Sequence, residues 1–488
     1  MTSVDTDHSP TGKANIANES HSAGKGRRRE GSRVSTMMSF ACAAALMFLG
    51  IRPVSDGDAW WHLKVGKYLL HGGAFIGPDP WNPFASRPFV ATQWLPEVVA
   101  FQGYQWFGLP AVAWLRCVAV LLLFSTILWT TRHIADTVPA LVAALAALIG
   151  TGGSLGERPQ LVSFIMLAVW VGASWRTAED LRPRWWLIPL TWVWACSHGL
   201  WLIGIGVGAM VVLGLFLDRR LTVRSASRLM LVPLASLAVC ALTPVGPRLL
   251  LTPFEVSQNA TQYVQEWQPT PVRATLTAII TLLLVAGAML GWIRSPEKTA
   301  WWKIFLAIAA VVSTLAMFRT IPVGAIVAAP LAASAIQSLR HAAPERPGRR
   351  SVRLWALLVL TCALIAIPVT ALVARHPGDV PERLRATLDA APAGSIILND
   401  HSLSGWLLWR EPQLVPVLDL RTEIFSKAYV QAYLRNAEVR PGWRDFLAET
   451  KPTYALLRSE SPIRLALQEE LQWVPLQTAQ GFTVLRAP

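Results

Sequence analysis

The sequence predicts an α-helical polytopic membrane protein with about eleven transmembrane helices, followed by a small C-terminal soluble α/β domain. Three observations predict it. Of 488 residues, 53% are hydrophobic and only 15% are charged, which is too apolar for an ordinary soluble chain of this length. Eleven apolar runs approach or reach the length of a membrane span. The Lys and Arg residues fall in short blocks between these runs, as the positive-inside rule produces.

The elements follow in order. Residues 1–35 are rich in Ser, Gly and Arg and read as a disordered cytoplasmic tail. The membrane unit covers 36–374, with apolar runs near 36–53, 110–129, 138–150, 160–175, 185–197, 199–217, 229–243, 274–293, 301–317, 321–338 and 354–374. The first run is too long and too poorly bounded for a cleaved signal peptide, so it reads as a retained anchor. The basic "KGRRREGSR" before it places the N-terminus in the cytoplasm. Alternation then puts "RTAEDLRPR", "DRRLTVRSASR", "RSPEK" and "RHAAPERPGRRSVR" inside as well, and the count closes. Loops 54–109 and 244–273 and the segment 375–488 fall outside. That last segment carries short apolar runs, "GSIILND", "PVLDL" and "YALLR", between helical stretches, the pattern of an extracytoplasmic α/β domain.

Composition also excludes. The net charge of +14 belongs to the loop blocks, so a nucleic-acid partner is rejected and the lipid bilayer is the partner implied. The five cysteines lie in or beside apolar runs without metal-ligand spacing, which argues against a disulfide framework or a zinc site.

"SDGDAWWHLKVGKYLLHGG", residues 55–73, raises the functional question. It places Asp56 and Asp58 two residues apart at the mouth of the first span, followed by Trp60, Trp61, His62 and an amphipathic helix. Sorting the other polar residues by side adds Glu157 and Arg158 in "SLGERPQ", His198 in "WACSHGLW", Glu266 in "VQEWQP" and Arg319 in "MFRTIPV" to the same outer rim. Arg116 lies about two turns into the second span. Each has a plainer reading: Asp58 as the cap of a helix starting at Ala59, Trp60 and Trp61 as interfacial anchors, His198 as the partner of a backbone carbonyl, Arg158 and Arg319 as snorkelling helix ends, Lys64 and Lys67 as a solvated face. Their agreement in side and depth favours a site at the outer leaflet. The membrane centre is nearly free of ionisable groups, where a coupled transporter usually places some.

"DGDAWWHLKVG" resembles the D-x-D-x-W-W-H-L-x-x-G signature of a bacterial family placed with the GT-C type of membrane glycosyltransferases. "ERPQLVSF", "WACSHGLW", "LTPVG", "QEWQP" and "SGWLLWREPQLVPVLDLRTEIF" resemble further segments of that family. Cys196 stands where the family often has Asn, and the usual Asn is missing before Pro244. The resemblance implies a GT-C-like fold and an enzyme of the bacterial plasma (inner) membrane. Such an enzyme moves a sugar from a polyprenyl-phosphate donor to an envelope glycan, lipid or protein. It implies a catalytic Asp in the first outer loop, Asp58 or Asp56, with His62 orienting the acid or the acceptor. A carboxylate there takes the acceptor proton. Arg158, Arg319 and Arg116 are the cations for the leaving phosphate, with His198, Glu266 and Glu157 completing the substrate site. Asp56 is the alternative base or a ligand for a divalent cation, Mg or Mn. The competing readings are a transporter or flippase of lipid-linked envelope precursors, and a non-catalytic envelope scaffold.

Overall fold

The computed structural model describes residues 41–260, 265–296, 298–340 and 343–488. The tail predicted at 1–35 and the first residues of the first apolar run lie outside the described residues. The chain is described from α1 (Ala41–Gly50). The first long loop then folds into two helices, α2 (Gly57–Leu70) and α3 (Trp94–Phe107), with a small hairpin of β1 (Ile76–Gly77) and β2 (Phe89–Val90) between them. The bundle continues with α4 (Leu109–Arg132), α5 (Thr137–Thr151), α6 (Gln160–Asp180), α7 (Leu187–Ala195), α8 (Trp201–Leu217) and α9 (Val223–Cys240). After a loop helix, α10 (Thr252–Ala260), come α11 (Leu276–Arg294), α12 (Trp301–Ala316), α13 (Ile321–Ser338) and α14 (Arg349–Val373).

Each predicted apolar run carries an apolar helix. Among the described residues, seven of these are long and apolar enough to cross a membrane: α4, α6, α9, α11, α13, α14, and α5 together with the turn that extends it to Ser154. Helices α1, α8 and α12 are apolar but shorter, and α7 has nine residues. Helix α13 is the centre of the bundle. Its Ala- and Gly-rich sequence is buried almost throughout, because small side chains let neighbouring backbones approach closely. The loops sort to two ends. At one end Gln337 bonds Asp136 and Arg340 pairs with it. The far ends of the same helices carry the "SLGERP" and "MFRT" segments.

The C-terminal region is a five-stranded mixed sheet in the order β4-β3-β5-β7-β6, built from β3 (Ile396–Asn399), β4 (Val415–Pro416), β5 (Tyr454–Arg458), β6 (Val474–Ala479) and β7 (Phe482–Arg486). Strand β3 is parallel to β4 and β5, and β7 is antiparallel to β5 and β6. Period-two alternation splits its residues between two cores. Ile397, Leu456 and Val484 face a core shared with Trp60, Leu63 and Trp406, whereas Leu398, Leu457 and Leu485 face Val430, Phe446 and Leu467.

The first of those cores ties the sheet to α2. Trp60, expected as an interfacial anchor, is instead fully buried in it. An aromatic of this size supplies more stabilisation in a core than at a membrane surface; truncating it costs about 3–5 kcal/mol. Two glycines let α2 meet the short helix at 404–410. A Cβ on Gly57 would stand 2.7 Å from the Ser402 carbonyl oxygen, and one on Gly405 would stand 2.3 Å from that of Gly57. The "DGD" and "SGW" triplets are thus the two halves of one backbone contact.

Candidate active site

Helix α2 begins at Gly57, not Ala59, and its cap is Asp56, whose Oδ1 accepts from the Asp58 amide at 3.0 Å. The expected Asp58 cap is therefore corrected by two residues. The reason is local: Asp56 sits in extended backbone, where its side chain reaches the first-turn amides. Asp58 is left free for tertiary contacts, and its Oδ1 accepts from Trp61 Nε1 at 3.0 Å.

Arg158 binds both acids. Its Nε donates to Asp56 Oδ2 at 2.7 Å, and its Nη1 lies 3.1 Å from Asp58 Oδ2. Gly156 makes this approach possible, because a Cβ there would fall 2.2 Å from Asp56 Oδ2. The same Nη1 donates to Glu266 at 3.1 and 3.2 Å. Glu266 bridges to Arg319 Nη1 at 3.6 Å. The Glu266 turn is pinned there by Phe318 N to Gln268 O at 3.1 Å and by Arg319 over the Trp267 ring at 5.4 Å. Burial alone would lower the Arg158 pKa, but Asp58, Asp56 and Glu266 outweigh it and hold the guanidinium charged.

His198 orients Arg319. Trp194 Nε1 donates to Ser163 Oγ at 2.7 Å, the same oxygen lies 3.0 Å from His198 Nδ1, the Leu200 amide approaches Nδ1 at 3.4 Å, and His198 Nε2 faces Arg319 Nη2 at 3.4 Å. An Arg side chain only donates, so the ring meets Arg319 as an acceptor. Burial first, then Arg319, His62 and Arg158, push the ring well below its ordinary pKa, which keeps it neutral and able to accept.

Three expected site residues stand elsewhere. Arg116, expected as a phosphate ligand, donates to the carbonyls of Gly50 at 2.9 Å, Arg52 at 2.6 Å and Pro53 at 3.4 Å, and pairs with Glu157. The side chains of that pair are almost wholly buried. The carbonyls left open where α1 ends draw the guanidinium to them. Glu157, expected to touch substrate, neutralises Arg116 and accepts from the Asp56 amide at 3.3 Å. Together they hold the acid-bearing loop. His62, expected to orient the acid or the acceptor, has Glu97 as its partner, with Nδ1 and Oε1 2.7 Å apart. Burial holds the Glu97 carboxyl above its ordinary range, with His62 opposing. Glu97 carried no motif in the sequence, and only this pairing brings it into view.

The expected divalent cation does not fit the carboxylates as they stand. The space between Asp56 and Asp58 is filled by the Arg158 guanidinium, and the described residues contain no group of three His, Cys, Asp or Glu with metal-holding geometry.

Beside this cluster lies a cavity of about 350 Å³ bordered by Trp61, Glu97, Arg248, Glu255, Arg421 and Glu423. It opens between α10 and the loop after β4. No protein-family model and no curated protein sequence matches the chain. Solved structures do resemble it. One is the Archaeoglobus fulgidus oligosaccharyltransferase in its apo form, at TM-score 0.54 and 12% identity over 86% of this chain and 69% of that one. The same protein in complex with Zn and sulfate gives TM-score 0.54 and 12% identity over 92% and 73%. ArnT from Cupriavidus metallidurans in the apo state gives TM-score 0.51 and 15% identity over 93% and 98%. At such identities the likeness is one of fold: this chain has a GT-C-like architecture, a polytopic helical membrane unit carrying a small C-terminal α/β region.

Proposed function

We propose that this protein is a membrane glycosyltransferase that moves a sugar from a polyprenyl-phosphate donor to a cell-envelope acceptor at the outer face of the bacterial plasma membrane. The observation that carries the reading is Arg158 held between Asp56 and Asp58, with Glu266 and Arg319 beside it, at one end of a GT-C-like bundle. An oligosaccharyltransferase among the proteins that share the fold supports it, as does the D-x-D-x-W-W-H sequence.

The acceptor occupies the cavity beside Trp61. Its hydroxyl oxygen bonds to the anomeric carbon as the carbon–oxygen bond to the lipid phosphate breaks, and the bonding pair leaves with the phosphate. Asp58 takes the hydroxyl proton. Trp61 and Arg158 occupy one lone pair on each of its oxygens and leave others open. The departing phosphate gains a negative charge, which Arg319 and Arg158 receive with bidentate geometry. Glu266 is the most exposed of the three acids, and it keeps the place between the two guanidiniums that the donor phosphate takes. Asp56 fixes the loop and Arg158; His62 and Glu97 position the start of α2.

Asp58→Asn tests the reading. It preserves size and the Trp61 contact and leaves the Asp56 cap intact. Thermal unfolding should stay unchanged while transfer from a radiolabelled polyprenyl-phosphate sugar falls roughly 10²–10⁴-fold. Activity within a few fold of the parent would overturn the assignment and favour the flippase or scaffold readings. The orientation has its own test: cysteines replacing His376 and Arg224 should label from opposite sides of sealed membranes, and labelling from one side overturns it.

A further inference from the structure

Helix α2 has a second working face, away from the acids. Lys64, Lys67, Tyr68 and His71 recur at i, i+3, i+4 and i+7, which aligns them in one stripe. Trp81 and Trp409 stand opposite, and the six side chains border a cavity of about 590 Å³. That is ample for a sugar ring. Its wall contains three basic side chains and no acidic one.

The cations are built in. Lys64 Nζ lies 5.8 Å from the centre of the Trp81 ring and donates to the Leu408 carbonyl. Lys67 Nζ lies 5.9 Å from that of Trp409. His71 Nδ1 donates to the Lys67 carbonyl at 2.7 Å, which directs the other ring nitrogen elsewhere. Arg158, Arg116 and Arg421 nearby are each matched by carboxylates within salt-bridge distance; no carboxylate lines this cavity. Burial, then Arg421 and Lys67, push the Lys64 ammonium down to about 8, with Asp79 and Asp419 opposing from behind. A group in that position gains from an anion in front of it.

We propose that this cavity is a binding site for an anionic saccharide, a sugar ring carrying a carboxylate or phosphate. The charge is met by Lys64 and Lys67, and the rings of Trp409, Trp81 and Tyr68 give apolar walls for its C–H edges. A bare anion would leave most of the space unfilled, and a neutral sugar would leave the cations unmatched. At about 1.5 Å per residue, Lys67 stands about 14 Å along α2 from Asp58. The site is therefore separate from the transfer chemistry and does not depend on it.

Calorimetry on the full chain in detergent tests this with three probes: hyaluronan tetrasaccharide, maltotetraose and glycerol 1-phosphate, the last standing for a lipid headgroup. The uronate-bearing tetrasaccharide should bind most tightly. Lys67→Glu should weaken it about tenfold and Lys67→Gln about threefold, while Lys427→Glu, on the far side of the sheet unit, changes it less than about twofold. Lys67 is exposed, so both variants should melt with the parent. Equal binding of maltotetraose, equal binding of glycerol 1-phosphate, or indifference to both Lys67 variants would each overturn the proposal.

Discussion

Among the described residues, two arginines are each held between a pair of aspartates, Arg158 by single contacts and Arg421 by a two-nitrogen fork on each. In one, Arg158 joins Asp56 and Asp58 at 2.7 and 3.1 Å. In the other, Arg421 joins Asp79 and Asp419 at 2.5 and 2.7 Å and lies 4.8 Å over the Trp81 ring. They differ in access to water. The Arg421 side chains are 1% exposed; those of Arg158, Asp56 and Asp58 are 26%, 11% and 18% exposed. Sealed, the Arg421 cluster is a joint that fastens the loop between α2 and α3 to the sheet. Half open, with Glu266 and Arg319 added at its edge, the Arg158 cluster keeps lone pairs and donors open to water.

Arg421→Leu should give the largest effect on stability. It leaves two buried carboxylates unpaired, at a cost of about 3–5 kcal/mol, read as a large fall in melting temperature. A variant that melts with the parent would erase the distinction between the clusters. Arg158→Leu should show the reverse profile, with a stability change below about 1 kcal/mol and transfer reduced roughly 10²–10³-fold.

Glu266→Gln sharpens the comparison further. Removing the third carboxylate takes from Arg319 its acidic partner and from Arg158 one of three, so half-saturation by the donor should fall by about 3–10-fold. A rise would show that Glu266 binds substrate instead of keeping its place. Glu423→Gln should have the smallest effect. Burial pushes the Glu423 carboxyl up to about 7, with Arg421 opposing, above its unfolded value of about 4.3. The folded state therefore binds this proton more tightly. The stability it contributes is full below about pH 4.3 and is lost as pH rises towards 7. Glutamine stays neutral, so pH-dependent melting should flatten across that window; an unchanged slope would place the titration elsewhere.

Much of this was legible in the sequence, for a physical reason. An apolar run needs no partner to announce a helix in lipid, and each of the eleven runs carries one. The "IILN" and "YALLR" runs became adjacent parallel strands of the sheet. Asp56, Asp58, Arg158, His198, Glu266 and Arg319 could be gathered because alternation sorts residues by end. Pairings could not be read this way. Nothing in "LRCV" shows that Arg116 is consumed by the end of α1 and Glu157, and nothing in "LPEVV" marks Glu97 as the partner of His62. A tryptophan such as Trp60 suits an interface and a core equally well by composition. Only the sheet that covers it decides between them.

The reciprocal contact of Gly57 and Gly405 has a consequence in time. These residues lie about 350 positions apart, and at about 5–20 residues per second the second emerges from the ribosome about 20–70 s after the first. Throughout that interval the acid-bearing loop exists without the backbone that clasps it. The segment that clasps this loop is made after every helix of the bundle, so a chain that has not yet reached it carries Asp56 and Asp58 on an unclasped loop, however well its helices are inserted.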